Sequence, residues 1–253
     1  IWGEEVYQDG VDIQPAEFYT RLKTSKVMPT TSQVTPAVML NTFQSLLDQG
    51  YDVLGIFLSS KISGTIQSAI QAREMIAGAE NRISIVDSLL TTMAMGWPVL
   101  IAARAAEAGE NLIACEKVAQ HACSSSGLFF VVETLEFLRR GGRVSSTQAM
   151  AGTILNIKPV LEMQDGKIES VEKIRTKQKA IQRMIELTTE RIGSRPPVRI
   201  AVTHANSEAD ALALLESVTK QFDPVETLIS PLSPVIGTHA GPGTVALNFM
   251  FGF

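Results

Sequence analysis

Cysteine is almost absent: Cys115 and Cys123 are the only two in 253 residues. They stand eight apart in what reads as one helix, about 12 Å along its axis, too far to bridge. A disulfide framework is therefore excluded, and two free thiols suit a reducing cytosol. Long hydrophobic runs are missing too. The longest, Met93 to Ala103, has eleven residues, contains Gly96 and Pro98, and runs into Arg104, whereas a spanning helix needs about 20 apolar residues. A basic surplus is lacking as well. The net charge is −4, and nucleic acid binding draws on a basic face for counterion release. Glu4 and Glu5 stand where a secretory leader would place a basic and then an apolar segment. With three histidines and no Cys/His cluster at ligand spacing, no metal site is expected. These absences lead to the expectation of a soluble cytoplasmic protein, with no nucleic acid partner and no stable membrane insertion.

What remains is a globular composition, 45% hydrophobic and 19% charged, sufficient for one large domain or two small ones. Val53 to Leu58 is a continuous apolar run, the pattern of a strand buried on both faces of a parallel sheet. It leads through Ser59-Ser60 into a helical stretch that reaches about Ala77. Ahead of it, Thr35-Pro36 opens a helix that Gly50 closes, and Ile83 to Val86 reads as the next strand. Strands alternating with helices predict a parallel α/β layer.

After residue 92 two helical stretches follow, about 93–108 and 111–124, separated by Gly109. The pattern then changes. Leu128 to Val132 reads as a strand, and Asp165-Gly166 between two strand-like runs predicts an antiparallel hairpin. A helix is expected over 177–192, with Ile181, Met184, Ile185 and Ile192 on one stripe. Val198 to Val202 reads as a strand, and Ser207 with Asp210 resembles a capping box for the helix after it. Strands near 225–229 and 244–249 complete the chain. The expected architecture is α/β in two domains: a parallel three-layer α/β/α domain over 1–111 and a mixed-sheet α/β domain over 112–253.

Three polar clusters interrupt this apolar scaffold: Thr30-Thr31-Ser32-Gln33, Ser59-Ser60 with Ser63-Gly64-Thr65, and Thr238-His239-Ala240-Gly241-Pro242-Gly243. The first two place hydroxyls and backbone N–H groups at helix starts, which favours an anion. Lys61 is the one cation within them, so a singly charged head group such as a carboxylate fits better than a nucleotide. Each cluster alone is equally the signature of an ordinary N-cap or turn.

Together with other stretches they resemble the DegV family, fatty-acid-binding proteins that serve bacterial fatty acid kinase. The matching pieces are Thr31-Ser32-Gln33, Ser60 with Ser63-Gly64-Thr65 and Gln67-Ser68-Ala69, and Val86-Asp87-Ser88. Further along come the stretch from Thr134-Leu135-Glu136 through Arg139-Arg140-Gly141-Gly142-Arg143 to Ser145, then Leu155-Asn156-Ile157-Lys158-Pro159, and Ile236 to Gly243. The resemblance implies one long-chain fatty acid held between two α/β domains, with no cofactor. It implies a carboxyl group bonded to hydroxyls at Thr31 and Ser63 with His239 nearby, in a ligand set that includes Ser32, Ser60, Gly64 and Thr65. It also implies a separate ATP-binding kinase subunit that makes acyl-phosphate, docking at Arg139, Arg140 and Arg143; the basic run Lys173, Arg175, Lys177 and Lys179, ordinarily a solvated face, is read as extending that surface through Arg175. Two departures stand out: no Asp-Ser-x-x-Asp follows an opening strand, so the expected first domain lacks its N-terminal strand, and Val34 replaces a common proline.

Burial of about fifteen CH₂ groups offers roughly 12 kcal/mol before costs. Lost translational freedom takes part of that, and a carboxylate needs hydroxyl and N–H partners to enter apolar surroundings. Three alternatives compete. Ser63 and His239 could serve a serine hydrolase as nucleophile and base, although no G-x-S-x-G surrounds Ser63. A phosphosugar or nucleotide site lacks a P-loop or G-x-G-x-x-G. A lipid-sensing regulatory protein shares the ligand and differs only in its partner.

Overall fold

The computed structural model describes residues 1–144 and 157–253; Ser145, Leu155 and Asn156 of the motifs above lie outside the described residues. The chain divides into two compact units: a larger one, residues 1–32 with 127–253, and an inserted one, residues 33–126. The larger unit opens with α1 (Pro15–Thr24).

The inserted unit begins with α2 (Pro36–Asp48), whose first turn carries Pro36 and is capped by Thr35, the hydroxyl accepting the Val38 N–H at 3.4 Å. Next come β1 (Val53–Phe57), α3 (Thr65–Glu74), β2 (Ile83–Asp87), α4 (Thr92–Glu107) and α5 (Leu112–Ser124). The strands pair in parallel, Val53 opposite Ile83 and Phe57 opposite Asp87. Alternation along β1 sets the layers. Val53 and Phe57 pack with Phe43 and Leu47 of α2 and Ala69 and Ala72 of α3. Leu54 and Ile56 line a groove of about 520 Å³ shared with Val99 and Ala102 of α4. Every residue of β1 is half-buried rather than buried as its apolar run suggests, and on the Leu54–Ile56 face that groove accounts for the exposure.

The expected boundary near 111 falls inside this unit. Gly109, with φ +93, breaks one helix from the next, but α4 and α5 pack on each other and both lie against β1. The glycine marks a helix hairpin and not a domain junction. The change of unit comes at residue 127, just inside the mixed sheet's opening strand, which begins at Ser126.

The larger unit continues with β3 (Ser126–Val131), α6 (Glu136–Arg140), β4 (Lys158–Gln164), β5 (Lys167–Ile174), α7 (Lys177–Ile192), β6 (Val198–His204), α8 (Glu208–Phe222), β7 (Glu226–Pro231), α9 (Pro234–Ala240) and β8 (Val245–Phe251). Its six-stranded sheet runs β5-β4-β3-β8-β6-β7, with β6–β7 parallel and β3–β4, β4–β5 and β6–β8 antiparallel. Asp165 and Gly166, at φ +49 and +81, turn the β4–β5 hairpin in the left-handed region that a two-residue primed turn requires. The apolar stripe of α7 (Met184, Ile185, Ile192) and that of α8 (Leu214, Val218) meet Phe249 and its neighbours in one core.

Ser207 departs from the expected capping box. Its hydroxyl bonds the Asp210 carboxylate at 2.7 Å and caps no helix N–H. Lys177 explains the difference: its ammonium lies 2.7 Å from the same carboxylate and 3.0 Å from the Ser207 hydroxyl, drawing both toward α7. His204 ends β6 and is buried, with its Nδ1 accepting the Ser207 N–H at 3.3 Å, a structural role.

Candidate functional site

In the larger unit the site is built on α9. Ser233 caps that helix, accepting the Ile236 N–H at 3.5 Å, and Pro234 fills its first position. His239 therefore lies in the last turn. Its Nε2 is 2.7 Å from the hydroxyl of Thr31. Its Nδ1 is buried without a hydrogen-bond partner among the described residues. Burial pushes the imidazole down to about 4, and the positive charge of Arg143 adds to the effect. The ring is thus neutral near pH 7 and carries one proton. A buried N–H without an acceptor costs more than a lone pair facing a nearby cation. The proton accordingly belongs on Nε2, which donates to Thr31. That leaves the Thr31 hydroxyl hydrogen free to donate to an anion.

Thr31 also borders a small, mostly apolar cavity of about 80 Å³ lined by Trp2, Val6, Ile13, Phe18 and Val235. Ser32 lies at its rim and is exposed.

A measurable consequence follows from the neutral imidazole. An NMR titration of the His239 ring should show a midpoint near 4 rather than near 6.5. The folded pKa is below the unfolded one, so the unfolded chain takes up the proton first. The ring's contribution to stability is then complete above about pH 6.5 and is lost as pH falls toward 4. A ring titrating near 6.5 in the folded protein would contradict the buried, unpartnered Nδ1.

The inserted unit holds the second hydroxyl set. β1 delivers the chain to Ser59, which is buried and accepts the N–H groups of Ile62 and Ser63 at 3.1 Å. Asp87, at the end of β2, receives the Ser60 N–H at 3.3 Å and the Leu89 N–H at 3.0 Å, fixing two loops together. Ser60 itself is exposed. Ser63 Oγ lies 2.9 Å from Thr65 Oγ1 and accepts the Thr65 N–H at 3.2 Å. This bond holds the first turn of α3, so Ser63 has a structural task as well as a free valence for a ligand. The Gln33 amide lies close over Gly64: a Cβ there would stand 1.9 Å from its oxygen, so the Gln33 side chain would have to swing aside. Gln33 in turn donates to Ser68 at 3.1 Å. The supporting roles of Gln33, Ser68 and Asp87 were visible in sequence only as members of motifs.

The arginine turn belongs to the larger unit. α6 ends in a Schellman motif: the Gly142 N–H bonds the Arg139 carbonyl and the Arg143 N–H bonds the Leu138 carbonyl, both at 3.1 Å, with Gly142 at φ +68. Arg140 pairs with Glu136 at 2.5 Å, and the Arg143 guanidinium donates to the Gly141 carbonyl. Arg139 and Arg140 are exposed and Arg143 is half-buried. Arg175 is exposed between β5 and α7.

Among the described residues no helix is long and apolar enough to cross a membrane, and no group of three or more His, Cys, Asp or Glu could hold a metal.

Comparison with known proteins gives one consistent result. The family model described as "Uncharacterised protein, DegV family" matches residues 1–251. A DegV domain-containing protein of Halalkalibacterium halodurans is 38% identical over 250 residues, covering 98% of this chain and 88% of the relative. Among solved structures, a DegV family protein from Thermus thermophilus, described by its fatty acid binding, superposes with a TM-score of 0.91 at 31% identity, covering 99% of this chain and 89% of that one. DegV of Bacillus subtilis, described as a fatty acid binding protein, superposes at 0.88 and 34% identity, covering 99% and 89%.

Proposed function

The chain belongs to the DegV family, and from that premise we propose that it binds a long-chain fatty acid, leaves it chemically unchanged, and presents the carboxyl group to a separate ATP-binding kinase subunit. The observation that carries this reading is the Thr31–His239 pair. A neutral imidazole fixes a threonine hydroxyl, with its hydrogen free for an anion, at the mouth of an apolar cavity. The fatty acid binding of the Thermus thermophilus and Bacillus subtilis proteins supports the choice of ligand.

On this reading the carboxylate takes hydrogen bonds from Thr31 and Ser63, with Ser32, Ser60, Gly64, Thr65 and His239 completing the set. Arg139, Arg140, Arg143 and Arg175 receive the kinase subunit, because cations on a rigidly capped helix end steer an acidic partner and pair with its carboxylates. The hydrolase alternative gains nothing from the geometry, since Nε2 of His239 holds its proton against Thr31 and cannot take one from a serine.

Calorimetric titration with oleate tests the binding half. Ser63→Ala should weaken affinity about ten- to hundredfold, the loss expected when a bond to a charged group is removed (~1.5–3 kcal/mol), with a modest fall in melting temperature from the lost bond to the Thr65 N–H and no unfolding. An unchanged affinity with a lowered melting temperature would reduce Ser63 to its α3 role. Acyl-phosphate formation with an added kinase subunit tests the presenting half. Arg143→Ala should retain oleate binding measurably and slow acyl-phosphate formation, most at low salt. Equal rates there would favour the lipid-sensing alternative.

A further inference from the structure

The closing turn of α6 and the last turn of α9 meet at one point. A Cβ added to Gly141 would stand 2.2 Å from His239 Nδ1 and 3.0 Å from its Cε1, so the backbone of Gly141 lies directly on the imidazole. The conformation of Gly141 does not require glycine: φ is −71 and ψ −13, an ordinary helical pair open to any residue. Its lack of a side chain is needed chiefly for the ring, since the next atom, the Phe137 carbonyl oxygen, would stand at 3.3 Å, where a small adjustment suffices. The turn that holds Gly141 is fixed on both sides, by the Schellman bonds of Gly142 and Arg143 and by Phe137, whose ring lies against Gly241 just past His239. On its other side the imidazole meets Thr31 at 2.7 Å.

We propose that Gly141 is a positioning residue for the head-group site: its bare backbone seats the His239 ring against Thr31, making the arginine turn the rear wall of that site. The proposal rests on the reading that Thr31 and His239 take a carboxylate, and it adds a residue that touches no ligand. The glycine ahead of Gly142 thus serves a neighbour in space, while Gly142 serves the backbone.

Gly141→Ala isolates this role, since alanine suits the helical conformation and the imidazole is the one group that must move by more than a few tenths of an ångström. The variant should unfold at or near the wild-type temperature, shift the His239 ring signals in NMR, and bind oleate at least tenfold more weakly. In a His239→Ala background, where no ring remains to be displaced, the same substitution should change oleate affinity less than twofold. An equal loss in both backgrounds would show a general structural effect and overturn the proposal, as would unaltered ring signals in Gly141→Ala. If the wild type fails to bind oleate, the proposed function falls. The ring signals of Gly141→Ala still decide whether Gly141 positions His239.

Discussion

Replacing Thr31 by valine should lower oleate affinity about ten- to hundredfold, because a hydroxyl bonded to a charged group contributes ~1.5–3 kcal/mol. The substitution keeps the branched shape and deletes the hydroxyl within bonding distance of His239 Nε2. The imidazole then has two ring nitrogens without partners, since Nδ1 already lacks one among the described residues. Stability should therefore fall too, by about 1–3 kcal/mol for an orphaned buried donor. Oleate titration and urea denaturation on one preparation separate these losses. The cycle with Ser63→Ala adds a further reading. If one carboxylate takes both hydroxyls, the two substitutions couple by about 0.5 kcal/mol or more. Strict additivity would assign the hydroxyls to separate tasks, and unchanged affinity in Thr31→Val would remove Thr31 from the site.

Elements with strong periodicity or distinct punctuation were legible in the sequence. The helix at 177–192 is found with the same limits, and Asp165-Gly166 does turn a hairpin. Short helices were not legible. α1, α6 and α9 have 10, 5 and 7 residues, too few turns to show a face, and what orders them is packing: Phe18 and Tyr19 of α1 share a cluster with Phe137 of α6 and Ile236 of α9. The expected boundary near 111, just past Gly109, falls inside one unit for a related reason. A glycine signals that a helix stops, and the same signal serves a tight helix hairpin and a domain junction. The capping box at Ser207 failed because Lys177, thirty positions earlier, competes for the same groups.

The site divides along the same line. Hydroxyl clusters are local patterns, so the stretches that hold Thr31 and Ser63 stood out, while the choice of those two residues came from the family resemblance; Thr35, not Thr31, caps α2. The pairing of Thr31 with His239 joins positions 208 apart, and no periodicity carries that. Gly141 was harder still. Beside Gly142 it reads as one half of a flexible pair, while the structure gives the two glycines unrelated tasks: Gly142 supplies a positive φ, and Gly141 supplies an absence of Cβ.

The largest stability loss is expected at Gly241. This residue closes α9, its N–H bonding the Gly237 carbonyl at 2.9 Å, and it adopts φ +77 with ψ 164. That region is almost closed to residues with a side chain, at about 1–3 kcal/mol each. A Cβ would also stand 2.4 Å from Cδ2 of Phe137, on a ring packed into the cluster beneath α1. Forcing an extra carbon into packed surroundings adds about 1–3 kcal/mol. Gly241→Ala should therefore lose about 4 kcal/mol in all, a size reserved for a few named defects. Oleate binding should suffer with it, since the displaced segment carries His239. Gly142→Ala serves as the comparison: its φ is +68, but nothing lies within 4 Å of the added carbon, so only the left-handed backbone cost of about 1–2 kcal/mol applies. Urea denaturation with slope and midpoint fitted separately measures both. The ring and backbone parts of the Gly241 loss come apart in the double variant Phe137→Ala/Gly241→Ala. Relative to Phe137→Ala alone, the added loss should shrink to the backbone part. If it remains at its full size, Phe137 is not the obstacle, and the strain at the end of α9 lies in the backbone alone.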